Sequence, residues 1–237
     1  MLRLQTITPP PHECSYLPDR QATLRYDIVA ELSPEEYGEL MLCGWRRFGR
    51  ALFRPVCRGC QACQAIRVRV PEFRPSASQK RAWKANVSDV RLEVGPPVVS
   101  AERLELYDKF HAFQRDFQGW PDRGRESVSA YVSSFVDQPF DVQEWRYTLG
   151  DRLVGVGYVD ALPAGLSAIY FYYDPAERSR SLGTFNVLSL LAAAALRNDA
   201  YAYLGYWVAG CRSLEYKANF RPNERLEAGE NWVSHRV

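Results

Sequence analysis

Cysteines 57, 60 and 63, in the stretch CRGCQAC, stand three residues apart. Thiolates at that spacing ligate zinc or an iron–sulfur cluster, and either group asks for a fourth ligand. No further cysteine or histidine follows within a dozen residues. Cys14, in the proline-bounded loop HECSYLPDRQA (12–22), is the one that a distant segment supplies, so the candidate metal set is Cys14, Cys57, Cys60 and Cys63. The competing reading is a loop of reduced thiols that simply packs. Cys43 falls inside a helical pattern and reads as core.

Two further stretches are dense in usable groups. In DPAERSRSLGTF (174–185) a strand ends and a helix begins near Ser181 and Gly183. Free N–H groups and the helix dipole make such a start attractive to a phosphate or an oxyanion, and Arg178 and Arg180 add charge. An ordinary helix cap is the plainer alternative. In LGYWVAGCRSLEYKANFRP (204–222), Tyr206, Cys211, Tyr216, Lys217 and Arg221 crowd one strand-loop segment, as in loops that carry function.

Other chemistries lack their signatures. There is no HExxH, Walker A loop, GxSxG elbow or GxGxxG. Three histidines (His12, His111, His235) do not suggest a histidine-rich metal site, and His111 reads as a half-buried helix residue. Net charge is only +2, yet Arg46 to Lys84 holds eleven Lys/Arg against one acid, Glu72. Interspersed aromatics (Trp45, Phe48, Phe53, Phe73, Trp83) suit a polyanion with unpaired bases, or else a core beneath a solvated face. Six cysteines in 237 residues are too few for a disulfide scaffold. The first dozen residues, with three consecutive prolines, lack a signal-peptide apolar run, and no stretch of 18 apolar residues occurs. A cytoplasmic chain without membrane contact is expected.

The elements that must position these groups follow from caps and periodicity. Ser33-Pro34-Glu35-Glu36 opens a helix expected to run to about Phe48, and Ser76 to Gln79 opens a short basic one to Lys84. IRVRV (66–70) and VRLEV (90–94) alternate as strands. Gly95-Pro96-Pro97 suggests a boundary between a cysteine-containing N-terminal domain, 1–97, and a C-terminal domain, 98–237. Beyond it come helices near 101–117 and 126–136, then strands 144–149 and 152–162 joined by Gly150-Asp151, a hairpin signal. A strand at 168–175, an alanine- and leucine-rich helix and a strand at 201–208 complete an α+β pattern.

The segments CSYLPDRQA, FRPVCRGCQACQAIRVRV, SASQKRAWKAN, YFYYDPAERSRSLGTFNVL and YLGYWVAGCRSLEYKANFRPNE occur in this order. Together they resemble the bacterial aspartate/glutamate leucyltransferases, relatives of the arginyl-tRNA–protein transferases, over nearly the whole chain. The resemblance implies a GNAT-like acyltransferase domain in the C-terminal half, packed against the small cysteine-containing region. It implies transfer of leucine from leucyl-tRNA to the N-terminal α-amine of proteins beginning with Asp or Glu, marking them for N-degron degradation. No cofactor is needed for that chemistry and DNA is not a partner. The donor ester is already activated, so positioning and oxyanion stabilisation supply most of the rate.

On this resemblance Asp174 orients or deprotonates the amine, while Tyr170 and Tyr172 shape the aminoacyl site. Ser181 and Gly183 hold the terminal adenosine or its phosphate. Arg20, Lys217 and Arg221 read the acidic side chain, Tyr206 and Tyr216 line the substrate site, and Lys80 and Arg81 hold tRNA. The four cysteines match regions with which eukaryotic relatives bind an iron–sulfur cluster or zinc. FQRDFQGWPDRG (113–124) departs from the family, where an Arg-His pair and a glycine run are common. Arginyl transfer from arginyl-tRNA is the near alternative. A CoA-dependent acetyltransferase on the same scaffold, and a non-catalytic RNA-binding or redox-sensing module, are the distant ones.

Overall fold

The computed structural model describes residues 1–227 and 231–235. In chain order the elements begin with β1 (Leu2–Ile7), β2 (His12–Glu13), β3 (Gln21–Ala22), β4 (Leu24–Glu31), α1 (Pro34–Leu42), β5 (Arg46–Phe48) and β6 (Ala51–Pro55). There follow β7 (Gln64–Arg69), α2 (Ala77–Lys84), β8 (Val90–Gly95), α3 (Ala101–Gln118) and α4 (Val128–Tyr131). The rest is β9 (Gln143–Leu149), β10 (Arg152–Leu162), β11 (Gly165–Tyr173), α5 (Leu182–Leu196), β12 (Tyr201–Trp207), α6 (Arg212–Glu215), β13 (Asn223–Glu227) and β14 (Asn231–His235).

Both capping boxes form as the sequence suggests. The Ser33 hydroxyl accepts from Glu36 N–H while Glu36 reaches back to Ser33 N–H, and Ser76 and Gln79 repeat the arrangement. The first helix is shorter than expected. Gly44, at φ +84°, turns the chain after Leu42, and Arg46–Phe48 becomes a strand paired with β6. Cys43 is therefore an exposed helix cap and not a core residue. The helix expected over 126–136 is a four-residue α4 followed by a π-helical turn, Val132–Val136. The hairpin at Gly150-Asp151 joins β9 and β10 as expected. The β13–β14 pair, at one edge of the large sheet, had no sequence signal.

An eight-stranded sheet in the order β14-β13-β7-β12-β11-β10-β9-β8 is the centre of the fold. It takes β7 and β8 from before residue 97, so the expected boundary at Gly95-Pro97 runs between strands of one sheet. On one face α5 buries Phe185, Val187, Leu188 and Leu191 against Ile66, Val68, Trp145 and Tyr147. A second core gathers Leu106, Tyr107 and Phe110 of α3 with Val156, Tyr158 and Tyr172. A four-stranded sheet, β1-β4-β6-β5, is joined to the large one by a third core, in which Tyr37 and Met41 of α1 meet Leu162 and Tyr203. The mixed α and β fold with a packed N-terminal region is the one expected. Among the described residues no helix is long and apolar enough to cross a membrane.

Candidate active site

Strands β11 and β12 are parallel neighbours joined by the α5 crossover, and they pair only at Leu166 with Ala202 and Ser167 with Tyr203. Beyond that point each strand continues without the other. Gly205, at φ +79°, lies in a register shift of β12 between Tyr203 and Tyr206. Backbone groups left by such a divergence need other partners. Two cations supply them: Lys217 Nζ donates to Tyr206 O at 3.0 Å and Arg46 Nη2 to Gly205 O at 3.3 Å.

A cavity of about 530 Å³ opens at this divergence. Ser167 to Phe171 of β11 and Leu204 to Tyr206 of β12 line it, with Ser181, Gly183 and Thr184 at the start of α5. Phe48, Phe53, Phe110 and Trp120 add an aromatic wall, and Phe48 meets Tyr170 edge-on at 5.9 Å between centroids. Arg46, Arg47, Arg178, Arg212 and Lys217 all line it, and among the described residues no Asp or Glu does. Arg47 has its own counter-ion in buried Asp160. Arg46 is buried among carbonyls, donating to Trp45 O at 2.7 Å as well as to Gly205 O, and meets no carboxylate among the described residues. Arg178 and Arg212 each lie 5.9 Å over the ring of exposed Phe117.

Ser181 takes the left-handed conformation at the head of α5 and caps it with no side-chain bond. A Cβ on Gly183 would meet nothing within 4 Å. The first N–H groups of a fifteen-residue helix thus face open space at the cavity, which fits an anionic group there.

The residues singled out from sequence divide between this cavity and elsewhere. Tyr170, Ser181, Gly183, Tyr206, Tyr216 and Lys217 line it together. The Tyr170 hydroxyl lies 2.9 Å from His111 Nε2 on α3. Burial, with Arg123 adding and Asp108 opposing, pushes that imidazole down to about 4. Burial, then Arg46, with Cys211 opposing, pushes the Lys217 ammonium down to about 7.

Tyr172 is fully buried in the core behind, its hydroxyl 2.6 Å from that of Tyr131. Asp174 is a structural carboxylate here. Lys109 Nζ lies 2.6 Å from Oδ1, Arg152 2.7 Å from Oδ2, and Ala176 N–H donates to Oδ1. Burial raises its pKa, but these partners outweigh burial and hold the group below the ordinary value. Arg20 is exposed in the Cys14 loop, and exposed Arg221 turns back to Ala218 O at 3.2 Å. Neither lines the cavity.

The basic run from Arg46 to Lys84 is likewise split. Arg46 and Arg47 are buried, Arg67 pairs with Glu224 at 2.6 Å, and Arg50 with Asp137 at 2.9 Å. Arg74, Lys80, Arg81 and Lys84 remain exposed on and beside α2. That helix packs on α5, and Asn86 just after it donates to Arg180 O. Sequence reasoning missed Arg46, Arg47 and Arg212 as cavity residues. It also missed Tyr16, Phe110 and Trp120, although CSYLPDRQA and FQGWPDRG carry two of them.

Cys43, Cys57, Cys60 and Cys63 line a second cavity, of about 270 Å³, which shares Tyr206 with the first. Burial pushes the Cys63 thiol up to about 12, and Cys14, Cys57, Cys60 and Cys211 raise it further. The four expected ligands are therefore gathered in space. Yet among the described residues no three His, Cys, Asp or Glu side chains converge on a point where an ion could sit, and Cys57 Sγ accepts from Thr23 N–H at 3.3 Å.

Two family models match the chain: Arginine-tRNA-protein transferase, N terminus, over 12–81, and C terminus, over 102–227. An aspartate/glutamate leucyltransferase of Campylobacter jejuni (strain 81-176) is 36% identical over 226 residues, covering 95% of this chain and 94% of that protein. One from Pseudomonas fluorescens (strain Pf0-1) is 37% identical over 236 residues, covering 98% and 97%. Among solved structures, L-PGS from Bacillus licheniformis overlays 65% of this chain and 50% of its own at a TM-score of 0.42 and 13% identity, too loose a match to argue from.

Proposed function

The chain belongs to the arginine-tRNA-protein transferase family, and from that premise we propose that it moves leucine from leucyl-tRNA onto the N-terminal α-amine of proteins that begin with Asp or Glu. As in the family, the product enters N-degron degradation. One observation carries the choice of donor and acceptor: four arginines and Lys217 line the cavity and, among the described residues, no carboxylate does. A buried guanidinium needs an anionic partner, so an arginyl group would enter unpaired beside like charge. A leucyl group instead meets Phe48, Phe53, Phe110 and Trp120. An acidic acceptor side chain meets Arg46, whose fork lies over the Tyr206 ring and among the described residues donates hydrogen bonds only to carbonyls.

The start of α5, flanked by Arg178 and Arg212, suits the terminal phosphate of the donor. Lys80, Arg81 and Lys84 on the neighbouring helix suit phosphates further along the acceptor stem. The acyl carbon then lies at the divergence of β11 and β12, where the amine attacks it. The test mixes the protein with labelled leucyl-tRNA or arginyl-tRNA and peptides starting with Asp, Glu, Lys or Ala. Leucine on the Asp and Glu peptides alone is the expected result. Arginine transferred in its place would overturn the donor assignment and the charge argument behind it.

A further inference from the structure

Attack on an ester needs a neutral amine, whereas an N-terminal α-amine with a pKa of roughly 7.7–8.0 is mostly protonated at neutral pH. Something in the cavity must take that proton, and the lining narrows the choice. Among the described residues it includes no Asp, Glu, His or Cys. Its arginines stay charged. Tyr16, Tyr37, Tyr170, Tyr173, Tyr206 and Tyr216 all line it, and burial raises each of them, so all keep their protons. His111 touches the lining only through Tyr170. Lys217 is the group that remains.

Its placement fits the task. Lys217 sits in the helical turn Tyr216–Asn219 and reaches across to β12. Nζ spends one N–H on Tyr206 O and stands 3.6 Å from where a Cβ on Gly205 would be, at the divergence of the strands. No carboxylate pairs with it among the described residues. The titratable groups that face it are Arg46 from β5, Tyr206 from β12 and Cys211 from the loop before α6. Resting on the leucyl-transfer reading above, we propose that Lys217 is the base that accepts the proton of the acceptor's α-ammonium. A lysine pushed down to about 7 offers a lone pair to a large fraction of molecules at neutral pH.

The step balances as follows in chemical terms. Nζ takes one proton from the α-ammonium. The freed amine lone pair forms the C–N bond while the carbonyl π pair moves to oxygen. Collapse of the intermediate breaks the bond from the acyl carbon to the ribose oxygen, which leaves with the second proton of the nitrogen. Lys217 returns its proton to water, so each transfer releases one proton and yields an amide and a free ribose hydroxyl.

The test is the pH profile of kcat/KM for leucyl transfer to an Asp-initiated peptide, on wild type, Lys217→Arg and Lys217→Ala. Retention of leucyl-tRNA on a filter shows that each variant is folded. At pH 7 both variants should lose about 10²-fold or more, the usual contribution of a general base. By pH 9 the gap should shrink, because the amine is then free without help. Added propylamine should restore part of the Lys217→Ala rate. A Lys217→Arg enzyme as fast as wild type at pH 7, or a loss of equal size at every pH, would overturn the proposal and leave Lys217 a mere cation. Wild-type protein that transfers no leucine fails earlier, and that failure belongs to the reading of the reaction.

Discussion

Tyr206 stands between two cavities of opposite chemistry. Among the described residues the larger is lined by four arginines and Lys217 with no carboxylate, and one of them, Arg46, donates its hydrogen bonds only to carbonyls. The smaller gathers four thiols, of which Cys57 is bonded to the Thr23 backbone and Cys63 is held protonated by burial and its neighbouring thiols. Like charges held close and half out of water cost stability, and they persist where something else completes them. An electrostatically unfinished cavity is the better sign of a substrate site, even though a run of cysteines is the louder sign in a sequence.

The comparison breaks first at Arg46. Lysine there keeps the charge and loses the planar fork that grips a carboxylate on two N–H groups. If Arg46 reads the acidic residue, Arg46→Lys should lower kcat/KM for Asp and Glu peptides by about 2 kcal/mol or more, roughly 30-fold, a loss within the range for truncating a buried charge pair. Leucyl-tRNA binding should hold. Equal loss on donor binding and on acceptor use would place the residue in the support of β12 instead, through Gly205 O.

A smaller effect is expected at the head of α5. A side chain on Gly183 meets nothing within 4 Å, so alanine fits and should leave the melting temperature at or above that of wild type. Glutamate has the same open space for its Cβ, and it puts a carboxylate where the donor phosphate is placed. Gly183→Glu should weaken leucyl-tRNA binding about tenfold at low salt, the size of one lost charge-assisted contact, and less at high salt. Gly183→Ala is its control. Weakening by both variants alike would show that bulk matters there and not charge.

Local signals in the chain proved legible. Ser33 with Glu36 and Ser76 with Gln79 bond within one turn, and Gly150-Asp151 turns a hairpin whose strands adjoin it. Such features depend on neighbours in sequence. The surroundings of other residues depend on distant ones. Asp174 closes a strand in a family motif, but its role is decided by Lys109, 65 positions earlier on α3. Arg46 and Arg47 look like part of a surface field because nothing in the run shows that Gly44 turns them inward, one toward Gly205 and the other toward Asp160. Lys217 is singled out in the sequence as a substrate-binding cation, and only the fold puts it against Tyr206 O. Charge counted along a chain does not say which charges the fold will use.

The smallest effect should come from the thiols, and it tests the other half of the comparison. Exposed Cys43 should react first with a disulfide reagent. Cys63, with its thiol raised to about 12, and buried Cys211 should react last and mainly on unfolding. Cys60→Ser, a change of one small polar atom on a half-buried loop, should leave leucyl transfer within about twofold and bring no change in metal content. Zinc or iron that copurifies with wild type and is lost from the variant would reverse the comparison. The thiols would then converge on an ion in a way the present arrangement does not, and the Cys14 loop, which carries Tyr16 into the lining of the larger cavity, would tie that ion to the substrate site.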